Sequence, residues 1–254
     1  MYALLDYGFD LHPEVFEKPG VGGPDFRVSN NRFASAFVEC KYVGRDTVRA
    51  HSALPEDRAG MSVGNYDYMT NRLQSEVGRA TPQLKDLPDP GVCLLGTDHA
   101  NTLDLFAEHG ATALLTSTTV IRIPLKNGGP AGEPHLFAPL QDSAFLRPAA
   151  YPDEPLSARR KPVSAVILVT FNFENPSASL FGVLNPFAAR PLDHRLFPAV
   201  PFARFARTPV LGDTHLPPVE FVVSEPYRKT FDLILAPRIS EVMERLTKDD
   251  KSSR

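Results

Sequence analysis

The chain has 254 residues, 43% of them hydrophobic and 22% charged, a balance that suits a folded protein with its own core and leaves one large domain or two small ones open. Its net charge of −3 carries no global basic signature of nucleic-acid binding, although a local basic face is enough for that. No stretch reaches the ~20 apolar residues that cross a bilayer, so no membrane partner is expected, and the opening MYALLDYGFD lacks the basic start and long apolar centre of a signal peptide. Cys40 and Cys93 lie in apolar runs without metal-type spacing and read as buried free thiols of a reducing, cytoplasmic setting.

In chain order, ALLDYGF (3–9) reads as the last turns of a helix stopped by Gly8, and LHPEVFE (11–17) as a short strand. PDFRVS (24–29) and FASAFVECKYV (33–43) are stronger strands, separated by the turn-forming SNN, while residues 44–64 are polar and read as irregular. Met69, Leu73, Val77, Ala80 and Leu84 recur at three- and four-residue spacing and predict an amphipathic helix over 66–85, with Gly78 and Pro82 bending or ending it near Thr81. GVCLLGT (91–97) follows as a buried strand, NTLDLFAEHG (101–110) as a helix stopped by Gly110, and 111–125 as one strand or two.

Of the chain's 25 prolines most fall between 124 and 226, and 126–160 reads as a Gly- and Pro-rich excursion. VSAVILVTFNF (163–173) and SLFGVLN (179–185) predict a hairpin around ENPSA, VEFVVSE (219–225) a late strand and RISEVMERLTK (238–248) a terminal helix, before a solvated tail. Strands, a helix and a further strand indicate an α/β fold with a mixed sheet. Residues 1–125 form the expected core and 126–254 a β-rich extension, either a second unit or part of the same one.

Chemistry concentrates in GGPDFRVSNNRFASAFVECK (22–41). Residues two apart in a strand share a face, so Glu39 and Lys41 point one way and Ala36, Val38 and Cys40 the other. Pairing the two strands around a turn near Asn31–Arg32 sets Phe26 opposite Val38, Val28 opposite Ala36 and Asp25 opposite Glu39. That register is expected to gather the apolar residues on one face and Asp25, Glu39 and Lys41 on the other. Converging carboxylates repel unless a cation lies between them, and a hard divalent ion, Mg²⁺ or Mn²⁺, suits carboxylate and water oxygens. The carbonyl of Cys40 is a third candidate ligand. A lysine beside such an ion can orient a water or offset charge developing on a phosphate.

Pro24-Asp25 followed by Glu39-Cys40-Lys41 resembles the motif of the PD-(D/E)xK nuclease superfamily, across roughly the first hundred residues. The resemblance implies a restriction-endonuclease-like core of order α-β-β-β-α-β, extended here by C-terminal strands, and Mg²⁺- or Mn²⁺-dependent hydrolysis of nucleic acid, DNA more than RNA. It assigns Asp25 and Glu39 to the metal and Lys41 to the attacking water. Some branches add a Gln or Lys from the helix after the motif, which makes Gln83 a further catalytic candidate and Gln74 a weaker one. Many members also carry an acid on the first helix. Here the chain starts within or near that helix, leaving Asp6, Glu14 and Glu17 as substitutes and suggesting a truncated N-terminus. The alternative is a nuclease fold that binds nucleic acid or a protein without cutting, and a homodimer fits either reading.

Other signals are weaker. GMSVG (60–64) matches a nucleophile elbow but lacks the buried strand that should precede it. His99, His109, His135, His194 and His215 have no metal spacing, and no Gly-rich nucleotide motif occurs. Basic residues gather at Arg45 and Arg49, Arg72 and Arg79, RRK (159–161) and RFAR (204–207), where each alone is an ordinary surface charge. LNPFAARPLD (184–193) ends a strand in an Asn-Pro turn.

Overall fold

Runs of β-branched and aromatic residues build one large sheet, because their side chains pack well against the neighbouring strands of a pleated surface. The computed structural model describes residues 10–13, 22–30, 33–52, 66–97, 111, 114–116, 120–122, 125–126, 129–130, 135–137, 143–147, 157–172, 177–210 and 217–224. Eight strands join in the sheet: β1 (Asp10–Pro13), β2 (Phe26–Asn30), β3 (Phe33–Val43), β4 (Gly91–Thr97), β5 (Val163–Asn172), β6 (Ser177–Leu184), β7 (Phe202–Phe205) and β8 (Val219–Val222). Their order across the sheet is their order along the chain. β1, β2 and β3 run antiparallel, β3, β4 and β5 parallel, and β6 antiparallel to β5; β7 is parallel to β6 and β8 antiparallel to β7. The parallel centre explains why GVCLLGT and VSAVILV are continuous apolar runs, since strands buried on both faces cannot alternate.

Helices α1 (Arg45–Ser52) and α2 (Tyr66–Ala80) fill the connection from β3 to β4. On one face of the sheet, Leu73, Val77 and Ala80 of α2, with Leu84, pack against Phe37, Val43, Cys93, Leu95, Val166 and Leu168. The other face buries Val28, Ala36, Val38, Val92, Ala165 and Ile167 under Leu192, Leu196, Phe197 and Val200, a segment that contains a 3-10 turn at His194–Leu196. Asp193 starts that turn by accepting from the Arg195 amide at 3.0 Å. Three short ribbons lie outside the sheet: Val120–Arg122 with His135–Phe137, Leu125–Lys126 with Gly129–Pro130, and Leu146–Arg147 with Ser157–Ala158.

Helix α2 ends at Ala80, as its glycine and proline signals predict, and Thr81 closes it by donating its hydroxyl to the Val77 carbonyl at 2.8 Å. Gly78 has a further role: a Cβ there would stand 3.4 Å from the Arg160 guanidinium, which lies against the helix. Arg160 adopts a positive φ of 49° and donates to Gln74 Oε1 at 2.9 Å and to the Ala144 carbonyl at 2.8 Å. Burial pulls its pKa down to about 10, because the charged form loses water.

Several expectations need correction. Residues 44–64 are not wholly irregular, since α1 forms after Gly44, whose carbonyl accepts from the amides of Thr47 and Val48. Within 111–125 the expected strand is present, as Val120–Arg122 and the start of Leu125–Lys126, and it follows a helical part at Ala111 and residues 114–116. The first strand, Asp10–Pro13, starts one residue earlier than expected, and residues 14–17 of the expected span lie outside the described residues. β7 was not expected, because RFAR reads as a charge cluster while its Phe202, Ala203 and Phe205 are buried. The helices expected at 3–8, 101–110 and 238–248 lie outside the described residues. Among the described residues no helix is long and apolar enough to cross a membrane.

Candidate functional site

The β2–β3 hairpin fixes the site. Its register pairs Phe26 with Val38, Arg27 with Phe37 and Val28 with Ala36, and closes at Asn30 with Phe33; the expected turn residues Asn31 and Arg32 lie between, outside the described residues. Asp25 stands just before β2 and reaches back to β3, where its Oδ2 accepts from the Cys40 amide at 2.6 Å. In a strand a residue's N–H and C=O leave on the same side, so the Cys40 carbonyl also emerges toward Asp25.

Glu39 projects from the middle of β3 and is only 2% exposed. Lys41, two residues on, donates its ammonium to Glu39 Oε1. The expectation of a polar face around this pair is overturned: Phe37 and Val43 share the parity of Glu39 and pack beneath α2 in the larger core cluster. Both faces of β3 are therefore buried, and the two charged residues are held within an apolar layer rather than on a solvated side. Burial accordingly raises the Glu39 pKa; the Lys41 hydrogen bond opposes that, and the nearby Asp25 charge adds to it.

Gln83 lies in the turns after α2, and the chain brings it to the same place. Its side chain is close enough to the Glu39 carboxylate to favour the charged form, and a Cβ on Gly22 would come 3.7 Å from its Nε2. The Gly-Gly-Pro approach to Asp25 thus passes beside Gln83. Two oxygens of this group, Glu39 Oε2 and Gln83 Oε1, are buried without a hydrogen-bond partner among the described residues. Buried acceptors left over in a polar cluster call for a donor or a cation.

These oxygens fit a hard divalent ion, since Mg²⁺ is usually held by one or two carboxylates while it keeps several waters. Asp25, Glu39 and the Cys40 carbonyl are the atoms available. Among the described residues no group of three or more His, Cys, Asp and Glu side chains could hold a metal ion, so a third acid does not come from them. Asp6, Glu14 and Glu17 lie outside the described residues. The Cys40 thiol points to the opposite face, and burial with the Asp25 and Glu39 charges pushes its pKa up to about 12.

Other sequence candidates have different work. Gln74 accepts from Arg160 at 2.9 Å. Arg72 and Arg79 both pair with the buried Glu76, at 2.7 and 3.2 Å, so those two cations are engaged within α2. His194 belongs to the 3-10 turn, where burial lowers its pKa; GMSVG, His99, His109 and His215 lie outside the described residues. One group escaped the sequence reading. Arg27 donates to Asp89 Oδ2 and Ser35 Oγ, both at 2.7 Å, and its guanidinium lies 5.6 Å from the Phe37 ring centroid. It shares Asp25's parity in β2, so register alone could have placed it opposite Phe37 beside Glu39; Asp89, 62 residues away, carried no such signal. Comparison with family models, curated proteins and solved structures finds no match to this chain.

Proposed function

We propose that the chain is a metal-dependent nuclease that hydrolyses phosphodiester bonds in nucleic acid, DNA more than RNA. The observation that carries this reading is the buried Glu39 carboxylate, with Lys41 on one oxygen and, among the described residues, no hydrogen-bond partner on the other, beside Asp25 and Gln83. Burying a charge in an apolar layer is costly, and stability alone gives no reason to place one there. The order β1, β2, β3, α1, α2 and β4, with β4 parallel to β3, supports this reading in its β-β-β-α-β part, with α1 as an addition to the core that the motif implies.

Asp25 and Glu39, with the Cys40 carbonyl, would hold Mg²⁺ or Mn²⁺. When bound, the ion supplies Lewis acidity toward the scissile phosphate and makes its water easier to deprotonate. The residues do the rest. The Cys40 amide fixes Asp25 by its Oδ2 and leaves Oδ1 available. Lys41 lies where its ammonium can turn from Glu39 to hold the attacking water or meet charge growing on phosphate oxygens. Gln83 can orient the same water through its amide.

The test is cleavage of single- and double-stranded DNA with Mn²⁺ by the wild type and by Asp25→Ala, Glu39→Ala and Lys41→Ala. Each substitution should abolish cutting while circular dichroism stays unchanged; cleavage that survives all three refutes the assignment. A second reading, a nuclease fold that binds without cutting, is favoured by one observation: the Lys41 charge is already engaged by Glu39. Calorimetry with Mn²⁺ separates the two, since the non-cutting module should bind the ion poorly.

A further inference from the structure

At the end of the sheet where β5 begins and β6 and β7 finish, a cleft of about 390 Å³ opens between Asn185, Arg204, Arg207 and Thr208, with Leu184 and Leu192 as apolar wall. Glu39 lies on β3, three strands from β6, or on the order of 14 Å at ~4.8 Å per strand spacing. The cleft is a separate place. No carboxylate is among the residues that line it, while two guanidiniums are.

Its parts are firmly held. Asn185 is buried; its amide group donates to the Val163 carbonyl at 2.7 Å and its Oδ1 accepts from the Phe187 amide at 2.9 Å, which sets the Asn-Pro turn. Ser164 donates to the Arg190 carbonyl at 2.5 Å and accepts from the Gly91 amide at 3.1 Å, tying the cleft floor to β4. Arg204 is oriented by Glu220, whose Oε1 accepts from its Nε at 2.8 Å and lies 2.7 Å from its Nη2. These two contacts to one oxygen leave Nη1 of the fork over. Arg207 is exposed and makes no hydrogen bond or ion pair among the described residues. Arg190, next to the lining Pro191, and Lys161, whose carbonyl accepts from the Ala189 amide, are exposed at the same end. Lys161 and the two arginines of RFAR therefore lie at one end of the sheet, because β5 and β6 are antiparallel and β6 and β7 parallel, while Arg160 is engaged against α2.

We infer that this cleft is a binding site for a phosphate group, with Arg207 and Arg204 as its principal ligands. The reasons are chemical. Guanidinium forks match phosphate oxygens with paired N–H donors; Glu220 pairs with Arg204, while Arg207 has no acidic partner among the described residues; and the volume suits a ligand of nucleotide size. A free nucleotide and the backbone of a strand both present this phosphate chemistry. The site stands whether or not Glu39 and Lys41 cut.

The full-length protein is titrated by calorimetry with inorganic phosphate and AMP, and by anisotropy with a labelled single-stranded DNA oligonucleotide, beside Arg207→Ala and Arg204→Ala. Saturable binding of AMP or phosphate, weakened about tenfold or more by Arg207→Ala, assigns a free nucleotide. Binding of the oligonucleotide alone, weakened by Arg207→Ala with a salt slope shallower by about 1, assigns a strand. Absence of binding by every probe, or binding unchanged in both variants, overturns the site. Glu39→Ala serves as the control that should keep binding, so loss of cutting and loss of this site read out separately; matching far-UV spectra show that the variants fold.

Discussion

A carboxylate shut into an apolar layer prefers its proton, and Glu39 shows what that preference does to stability. Its pKa in the folded chain is raised, chiefly by burial, above the unfolded glutamate value. The stability that protonation confers is thus whole below the unfolded value and is lost as pH rises through the folded one. Glu39→Gln, which keeps the shape and discards the charge, should gain on the wild type as pH is raised from about 4 toward 8, read as urea midpoints without metal. A gap that stays constant with pH would contradict the assignment of the shift to Glu39. The same variant should lose cleavage, the usual exchange of stability for function at a strained site. The thiols make a second residue-scale case. Burial pushes Cys40 up to about 12 and Cys93 higher still, so thiolate is scarce in the native state. A thiol-disulfide reagent at pH 8 should label neither until the protein unfolds; native labelling at the rate of free cysteine would show that the β3–β4 layer is open.

At the scale of elements, close approach decides which substitutions hurt. A Cβ on Gly91 would lie 2.6 Å from the Pro162 carbonyl oxygen and 2.9 Å from Leu84 Cβ, where the parallel centre of the sheet meets the turn after α2. Gly91→Ala should therefore cost about 1–3 kcal/mol through forced backbone movement, visible as a lower thermal midpoint. Arg160→Met would remove a donor from both Gln74 Oε1 and the Ala144 carbonyl and should cost about 1–3 kcal/mol, read as a lower thermal midpoint; full stability in that variant would show that these bonds add nothing to the fold. What was legible follows the same division. β3, β4 and the β5–β6 hairpin are local apolar runs bounded by turn residues, and the β2–β3 register could be read because only one alignment pairs Phe26 with Val38 and Val28 with Ala36. α1 was hidden because Val48 is its one residue assigned to the core, and β7 because Arg204 interrupts its buried positions. Glu39 and Lys41 could be placed on one face from spacing, but not under α2, and the meeting of Arg160 with Gln74 depends on packing 86 positions apart.

For the whole molecule, the bonding of β4 to β5 makes residues 91–97 and 163–172 one continuous surface, with the same two core layers running across it. Unfolding should accordingly be a single transition, with Cys93 exposure and loss of far-UV ellipticity coinciding in urea. Residues 1–125 expressed alone would leave β4 with an unpaired edge and half of each layer uncovered, and should aggregate or fail to fold; a soluble, cooperatively melting fragment would show that the first four strands suffice. The strand order has one more consequence. Since position in the sheet repeats position in the chain, no strand must be threaded between two that are already paired. Each one can dock on the free edge as it leaves the ribosome, and the growing protein then presents a single new edge at every stage of its synthesis.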